Sequence, residues 1–302
     1  MKILFIAYDN DSHVSFFPMG LAYLAAVLEK RHDVEFFSQD LNHYPDSYLT
    51  QYLDERHFDF VGLSFIGGYY QYRKALRLAE AVNQAKHRPF FVLGGHGPSP
   101  DPEFFMRKTL ADAVCIGEGE ETVLELTDAL ANKKSLSGIK GLAYRDGGSF
   151  VITERRPAIK DIDGIPFPAY HLFPMKLYRL YRGPHASRSD FCMQMLSGRG
   201  CPFRCNFCYR MDEGFRPRSN ESIGEEIRLL QKDYGITYIQ FYDELLMSSP
   251  ERVESFCNYL ITHKIFSSGG GQMGGQRPLE LRQARLVEDD AFRRVRFFEL
   301  RH

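Results

Sequence analysis

Five short apolar runs mark the first part of the chain, at residues 2–8, 34–37, 58–65, 89–93 and 113–116. Between them stand stretches with helical period, at 21–31, 47–55, 69–86 and 122–131. In 69–86 the apolar positions fall at 72, 75, 76, 79 and 82, which is one face of a helix. Strands alternating with helices predict an α/β fold with a doubly wound parallel sheet. Strands buried on both faces explain why the runs are continuously apolar. In such sheets ligands sit beyond the carboxyl ends of the strands, where loops feed helix N-termini. Glycines gather at those ends here, as Gly67-Gly68, Gly94-Gly95-His96-Gly97 and Gly117-Glu118-Gly119-Glu120. Taken alone they read as turn glycines. No Gly-x-Gly-x-x-Gly follows the first run, which disfavours a nicotinamide dinucleotide.

A second feature lies between Ser197 and Arg210, in Ser-Gly-Arg-Gly-Cys-Pro-Phe-Arg-Cys-Asn-Phe-Cys-Tyr-Arg. Cys201, Cys205 and Cys208, half of the six cysteines, are spaced Cys-x3-Cys-x2-Cys. Thiolates are soft ligands that suit iron–sulfur clusters, zinc or Cu(I). Three thiolates from one loop hold three irons of a cubane and leave the fourth open to a small molecule. Zinc asks for a fourth ligand, and His171 and His185 upstream are not spaced as a ligand pair. An apolar strand at 191–196 delivers the loop at its carboxyl end, the geometry of a βα barrel. An amphipathic helix at 222–234, a strand at 236–242 ending in Asp243-Glu244, and a helix at 250–263 follow. Cys115, Cys192 and Cys257 read as small core residues.

The cysteine spacing, with Phe207 just before the third cysteine, resembles the signature loop of the radical S-adenosylmethionine (SAM) enzymes. The resemblance implies that Cys201, Cys205 and Cys208 ligate a [4Fe-4S] cluster whose open iron binds the SAM amino and carboxylate groups. Reductive cleavage then gives a 5′-deoxyadenosyl radical. It also implies that Phe207, Tyr209, Asp243 and Glu244 border SAM, with the acidic residue accepting hydrogen bonds from its amino group. Arg199 and Arg210 are candidates to neutralise the cluster or the SAM carboxylate. The preceding loops resemble the cobalamin-binding domain of the B12-dependent branch. Pro18-Met19-Gly20-Leu21, Val61-Gly62-Leu63-Ser64, Gly94–Gly97 and Gly117–Glu120 match its segments in order. Gly20, Ser64, Gly94, Gly95, His96, Gly97, Gly117, Glu118, Gly119 and Glu120 are then expected around the lower face and nucleotide tail of cobalamin. Asp11-Ser12-His13 partly echoes a lower cobalt ligand of other cobalamin proteins, but Phe16 stands where their motif has glycine. His13 is read as a loop histidine.

Four segments result: a cobalamin-binding domain at 1–135, a hairpin and Pro/aromatic linker at 136–189, the start of a radical SAM partial barrel at 190–266, and an atypical tail at 267–302. The hairpin pairs 142–144 with 150–152 about Asp146-Gly147-Gly148. The linker's Ile165-Pro166-Phe167-Pro168-Ala169-Tyr170 is too apolar for a free tether and reads as an ordered strap. After Phe266 the composition changes to Ser-Ser-Gly-Gly-Gly-Gln-Met-Gly-Gly and then to Arg, Glu and Gln. A third barrel strand is expected to be missing, the glycines to form a flexible linker, and 279–301 to be a marginal helix at most. The barrel is therefore expected to be truncated, or the reading frame to change near Phe266.

By resemblance the chain is a cobalamin-dependent radical SAM enzyme. The reaction implied is methyl transfer to an unactivated carbon of a small molecule, with cyclisation and rearrangement also known in the family. An electron donor such as flavodoxin or ferredoxin would be its partner. The rival reading is a non-catalytic cobalamin-binding or redox-sensing protein with an inactive radical SAM domain. A formal net charge of −1 gives no global field favouring nucleic acid. No apolar run reaches the length of a membrane span. Free cysteines without a secretory signal lead us to expect a cytoplasmic protein.

Overall fold

The computed structural model describes residues 1–11, 16–182, 186–209, 214–243, 249–265, 272–275 and 297–298. It divides into two compact units. One comprises Met1–Ile159 with Pro166–Phe173, the other Lys160–Ile165 with Pro174–His302.

In the first unit the apolar runs form β1 (Lys2–Ala7), β2 (Asp33–Ser38), β3 (Phe60–Ser64), β4 (Phe90–Gly94) and β5 (Ala113–Cys115). The helical stretches form α1 (Met19–Leu28), α3 (Asp46–Arg56), α4 (Tyr69–Asn83) and α6 (Glu120–Ala131), and two helices outside those stretches, α2 (Gln39–Asn42) and α5 (Pro102–Thr109), join them. Helix α5 has its start signals in sequence: Asp101 caps it, accepting from the Phe104 amide at 3.1 Å, and Pro102 follows. The hairpin forms as β6 (Leu142–Asp146) and β7 (Ser149–Ile152). It pairs antiparallel with β5 and so lies inside this sheet, whose order is β2-β1-β3-β4-β5-β6-β7.

The first five strands are parallel. Because side chains alternate along a strand, each strand feeds two cores. Ile3 and Phe5 pack with Leu21, Ala25, Leu28, Val123 and Leu126 of α1 and α6. Leu4 and Ile6 pack with Leu49, Leu53, Leu78, Val82 and Met106 of α3, α4 and α5. Strand order reverses about β1, between β2 and β3, which is the topological switch point where doubly wound sheets take their ligands. The first unit's part of the strap is ordered, as expected. The Ala169 amide donates to the Ala22 carbonyl at 3.0 Å, and Phe17 stacks on Tyr170 at 5.2 Å between centroids.

The second unit contains α7 (Met175–Tyr178), β8 (Cys192–Met195), β9 (Gly198–Cys201), β10 (Gly214–Pro217), α8 (Asn220–Tyr234), β11 (Tyr238–Phe241), α9 (Pro250–Thr262), β12 (Gln272–Gly275) and β13 (Phe297–Phe298). Here the structure corrects two sequence expectations. The third barrel strand is present: β12 pairs parallel with β11, and β13 with β12, in the order β13-β12-β11-β8. Part of the glycine stretch is therefore strand and not linker. A parallel ladder is made of backbone N–H and C=O groups, which Gly274 and Gly275 supply as any residue does, while their missing side chains erase the hydropathy pattern. The helix expected at 279–301 lies, apart from β13, outside the described residues. Second, the cysteine loop does not leave the end of β8 directly. It belongs to a separate antiparallel pair, β9 with β10, in which Cys201 stands opposite Gly214.

Candidate functional site

At the carboxyl ends of β3 and β4, Ser64 and Gly94 stand opposite each other in register. The two following loops are laced together. The Phe65 amide donates to the Gly94 carbonyl at 3.2 Å, and the Gly97 amide to the Phe65 carbonyl at 3.1 Å. Ser99 Oγ closes the turn on the Gly95 carbonyl at 2.7 Å. Gly95 has φ +92°, and a Cβ there would stand 2.5 Å from the Phe65 carbonyl oxygen and 2.8 Å from Ser64 Oγ. Only glycine fits both the left-handed backbone and that approach. Gly95→Ala is expected to destabilise the first unit by about 2–4 kcal/mol, the sum of left-handed strain and overpacking. A urea titration measures it; an unchanged midpoint would show that the loop relaxes freely.

The third loop carries Gly117, Glu118, Gly119 and Glu120. Gly119 is the N-cap of α6, and Glu120, buried, opens the helix. Glu118 Oε2 accepts from the Ile159 amide at 2.7 Å, so this carboxylate also ties down the start of the strap. His96 and Gly97 are half-buried and Gly20 is exposed in the first turn of α1. The structure thus brings Ser64 and 94–97 together at adjacent strand ends, and 117–120 at the end of the next strand. His13 lies outside the described residues. Cys115 is buried beside this loop, and burial pushes its thiol up to about 12, which makes it inert at neutral pH. Cys257 is likewise held up at about 11 by burial.

Cys201, at the end of β9, is half-buried, whereas Cys205 and Cys208 are exposed; all three thiols are free. The Cys208 amide donates to the Cys205 carbonyl at 3.3 Å, so these two stand one turn apart. Among the described residues no three Cys, His, Asp or Glu side chains converge as a metal-binding group. The donor set itself fits a cluster: three accessible thiols within eight residues, on a loop without helix or strand between Cys201 and Cys208. Phe207 and Tyr209 are exposed on the same loop. Arg199 is half-buried on β9, opposite Arg216. Arg210 and Glu244 lie outside the described residues. His171 pairs with Glu29 at 2.8 Å.

Asp243 is only 3% exposed. Its Oδ1 accepts from the Ser197 amide at 2.7 Å and from the Gly198 amide at 3.2 Å, and its Oδ2 from Ser197 at 3.0 Å. Two residues absent from the sequence candidates, Arg252 and Arg218, meet the same stretch of backbone. Arg252 Nη2 donates to the Ser197 carbonyl at 2.9 Å. Burial lowers the Arg252 pKa, and the charge of Asp243 opposes that shift. The Arg218 amide also donates to the Ser197 carbonyl, at 2.8 Å, while its Nη1 donates to the Leu196 carbonyl at 2.9 Å and pairs with Glu226. Arg218 is 5% exposed and Glu226 fully buried. A signal for this set exists in sequence. Glu226 stands among the buried apolar positions Ile223, Ile227 and Leu230 of α8, an acid on the covered side that calls for a cation.

A family model described as B12 binding domain matches residues 7–127. An uncharacterised methyltransferase of Pyrococcus horikoshii is 34% identical over 266 residues, covering 83% of this chain and 55% of that protein. An anaerobic magnesium-protoporphyrin IX monomethyl ester cyclase of Synechocystis is 25% identical, covering 82% and 49%. The chain spans about half the length of the curated relatives it matches. Among solved structures, the radical SAM methyltransferase TsrM of Kitasatospora setae, with cobalamin and a [4Fe-4S] cluster bound, superposes with a TM-score of 0.67 at 19% identity, covering 90% of this chain and 53% of that one. The cobalamin-dependent radical enzyme OxsB, with aqua-cobalamin and SAM bound, gives 0.72 at 20% identity, covering 90% and 38%. At those identities the likeness is one of fold. Alignment to the Pyrococcus protein extends past the first unit into the second, through sheet and cysteine loop alike, and the chain belongs to the B12-binding-domain radical SAM superfamily.

Proposed function

We propose that this chain is the cobalamin-binding and cluster-binding part of a radical SAM enzyme that transfers a methyl group to an unactivated carbon of a small molecule. The observation that carries the reading is the co-occurrence, in one chain, of a B12-binding sheet and a hairpin bearing three free, accessible thiols. When bound, a [4Fe-4S] cluster supplies the electron for cleavage of SAM and cobalamin supplies a methyl carrier. In this reading residues 1–135 hold cobalamin and 190–266 begin the SAM barrel. Ser64, Gly94, Gly95, His96, Gly97, Gly117, Glu118, Gly119 and Glu120 border cobalamin, with Gly20 at the start of α1. Cys201, Cys205 and Cys208 ligate iron, and Phe207, Tyr209 and Glu244 are the candidates for contact with SAM. A flavodoxin or ferredoxin provides the electron.

The Pyrococcus relative, at 34% identity, is named a methyltransferase, which favours methyl transfer. The relatives named as ester cyclases support cyclisation as the second reading. Enzymes on both sides weigh against the non-catalytic reading. Among the described residues no helix is long and apolar enough to cross a membrane.

The test is anaerobic reconstitution with iron and sulfide, followed by low-temperature EPR of the reduced protein with and without SAM. A cubane signal that shifts on adding SAM is expected. Full occupancy by zinc with no iron would defeat the reading. Binding of hydroxocobalamin, followed by its visible spectrum, tests the first unit separately.

A further inference from the structure

We propose that Asp243 is a positioning residue for the cysteine loop, acting through backbone, and not the partner of the SAM amino group that its place at a strand end suggests. The proposal rests on the radical SAM reading above. Its ground is the direction in which the carboxylate is committed. Asp243 is the second residue after β11 and is buried, with both oxygens turned to the amides of Ser197 and Gly198. A carboxylate that accepts backbone N–H groups out of water makes charge-assisted bonds that fix those groups tightly. The carbonyl of the same residue, Ser197, is held from the other side by Arg252 Nη2 and by the Arg218 amide. Arg218 Nη1 holds the Leu196 carbonyl immediately before it.

Thus one negative and two positive side chains, from the end of β11, from α9 and from the segment before α8, grip three consecutive residues at the root of β9. Cys201 is four residues beyond Ser197, at the other end of that short strand. Gly200 between them has φ +78°, and a Cβ there would run into the Gly214 carbonyl, so this short strand lies close against β10 just before Cys201. Groups that orient metal ligands from behind commonly change metal affinity about 10- to 100-fold. The grip places the first ligand, and through it the loop that carries the other two.

The two roles for Asp243 make opposite demands on charge. An ammonium group needs the negative carboxylate. The amides of Ser197 and Gly198 need an acceptor at Oδ1, which an asparagine retains. Asp243→Asn is therefore expected to take up iron as the wild type does and to keep the EPR change on adding SAM, with SAM affinity within about threefold. Asp243→Ala removes the acceptor. It is expected to lower iron affinity about tenfold and to speed hydrogen exchange at residues 197 and 198 about tenfold in the cofactor-free protein. An Asp243→Asn protein that binds iron fully but no longer responds to SAM would overturn the proposal, whether or not the alanine variant folds. Should the wild type take up no iron, the radical SAM reading fails. The exchange measurement then still decides the positioning role, which is lost if exchange at 197 and 198 is unchanged in Asp243→Ala.

Discussion

Replacing Cys201, Cys205 or Cys208 singly by alanine is expected to reduce iron from about four atoms per reconstituted chain to background, and to abolish the EPR signal and SAM cleavage. A three-thiolate loop has no spare donor. His171 is engaged with Glu29, and Cys115 and Cys257 are buried with raised pKa values in regular elements. The loss is not one of folding. Cys205 and Cys208 are exposed, and exposed substitutions commonly change stability by no more than about 0.5 kcal/mol. Iron analysis, EPR and a urea titration on the same samples separate the two effects. A single variant that keeps its full iron would remove that cysteine from the ligand set.

The second large effect is on stability. Glu226→Ala leaves the Arg218 guanidinium buried without its carboxylate, and breaking a buried pair from one side costs about 3–5 kcal/mol. Arg218 also holds Leu196 and Ser197 through its Nη1 and its amide, so loosening it disturbs the root of the cysteine hairpin. We expect the second unit to melt before the first in this variant, as a separate transition in calorimetry. Glu226→Gln keeps an acceptor and is expected to cost less than half as much. Glu225 is exposed on the same helix, and Glu225→Ala is the control, expected within about 0.5 kcal/mol of wild type. An alanine at 226 that leaves the thermogram unchanged would mean the pair adds nothing net to the fold.

The expected strands and helices were legible because each is written locally. The run from Ile3 to Ile6 is apolar at every position because β1 is covered on both faces, and that reads directly as a buried strand. The face of α4 shows in Ala75, Leu78, Ala79 and Val82. The cysteine spacing needs no tertiary contact to be seen. The four glycine-marked segments became informative only in their order, as a resemblance, since each alone is a turn.

What the chain determined by itself was the kind of most elements and the spacing of the thiols in the loop. What only the tertiary structure decided was partnership. Main-chain hydrogen bonds look the same for every residue, so the sequence is silent on β6 joining β5 antiparallel and on Gln272–Gly275 joining β11. Asp243 shows the same division for a side chain. A carboxylate after an apolar strand reads as a ligand-facing acid. The amides that occupy it belong to residues 45 and 46 positions earlier in the chain, brought there by the pairing of β8 with β11. Local pattern encodes which groups are polar; the fold alone sets which of them meet.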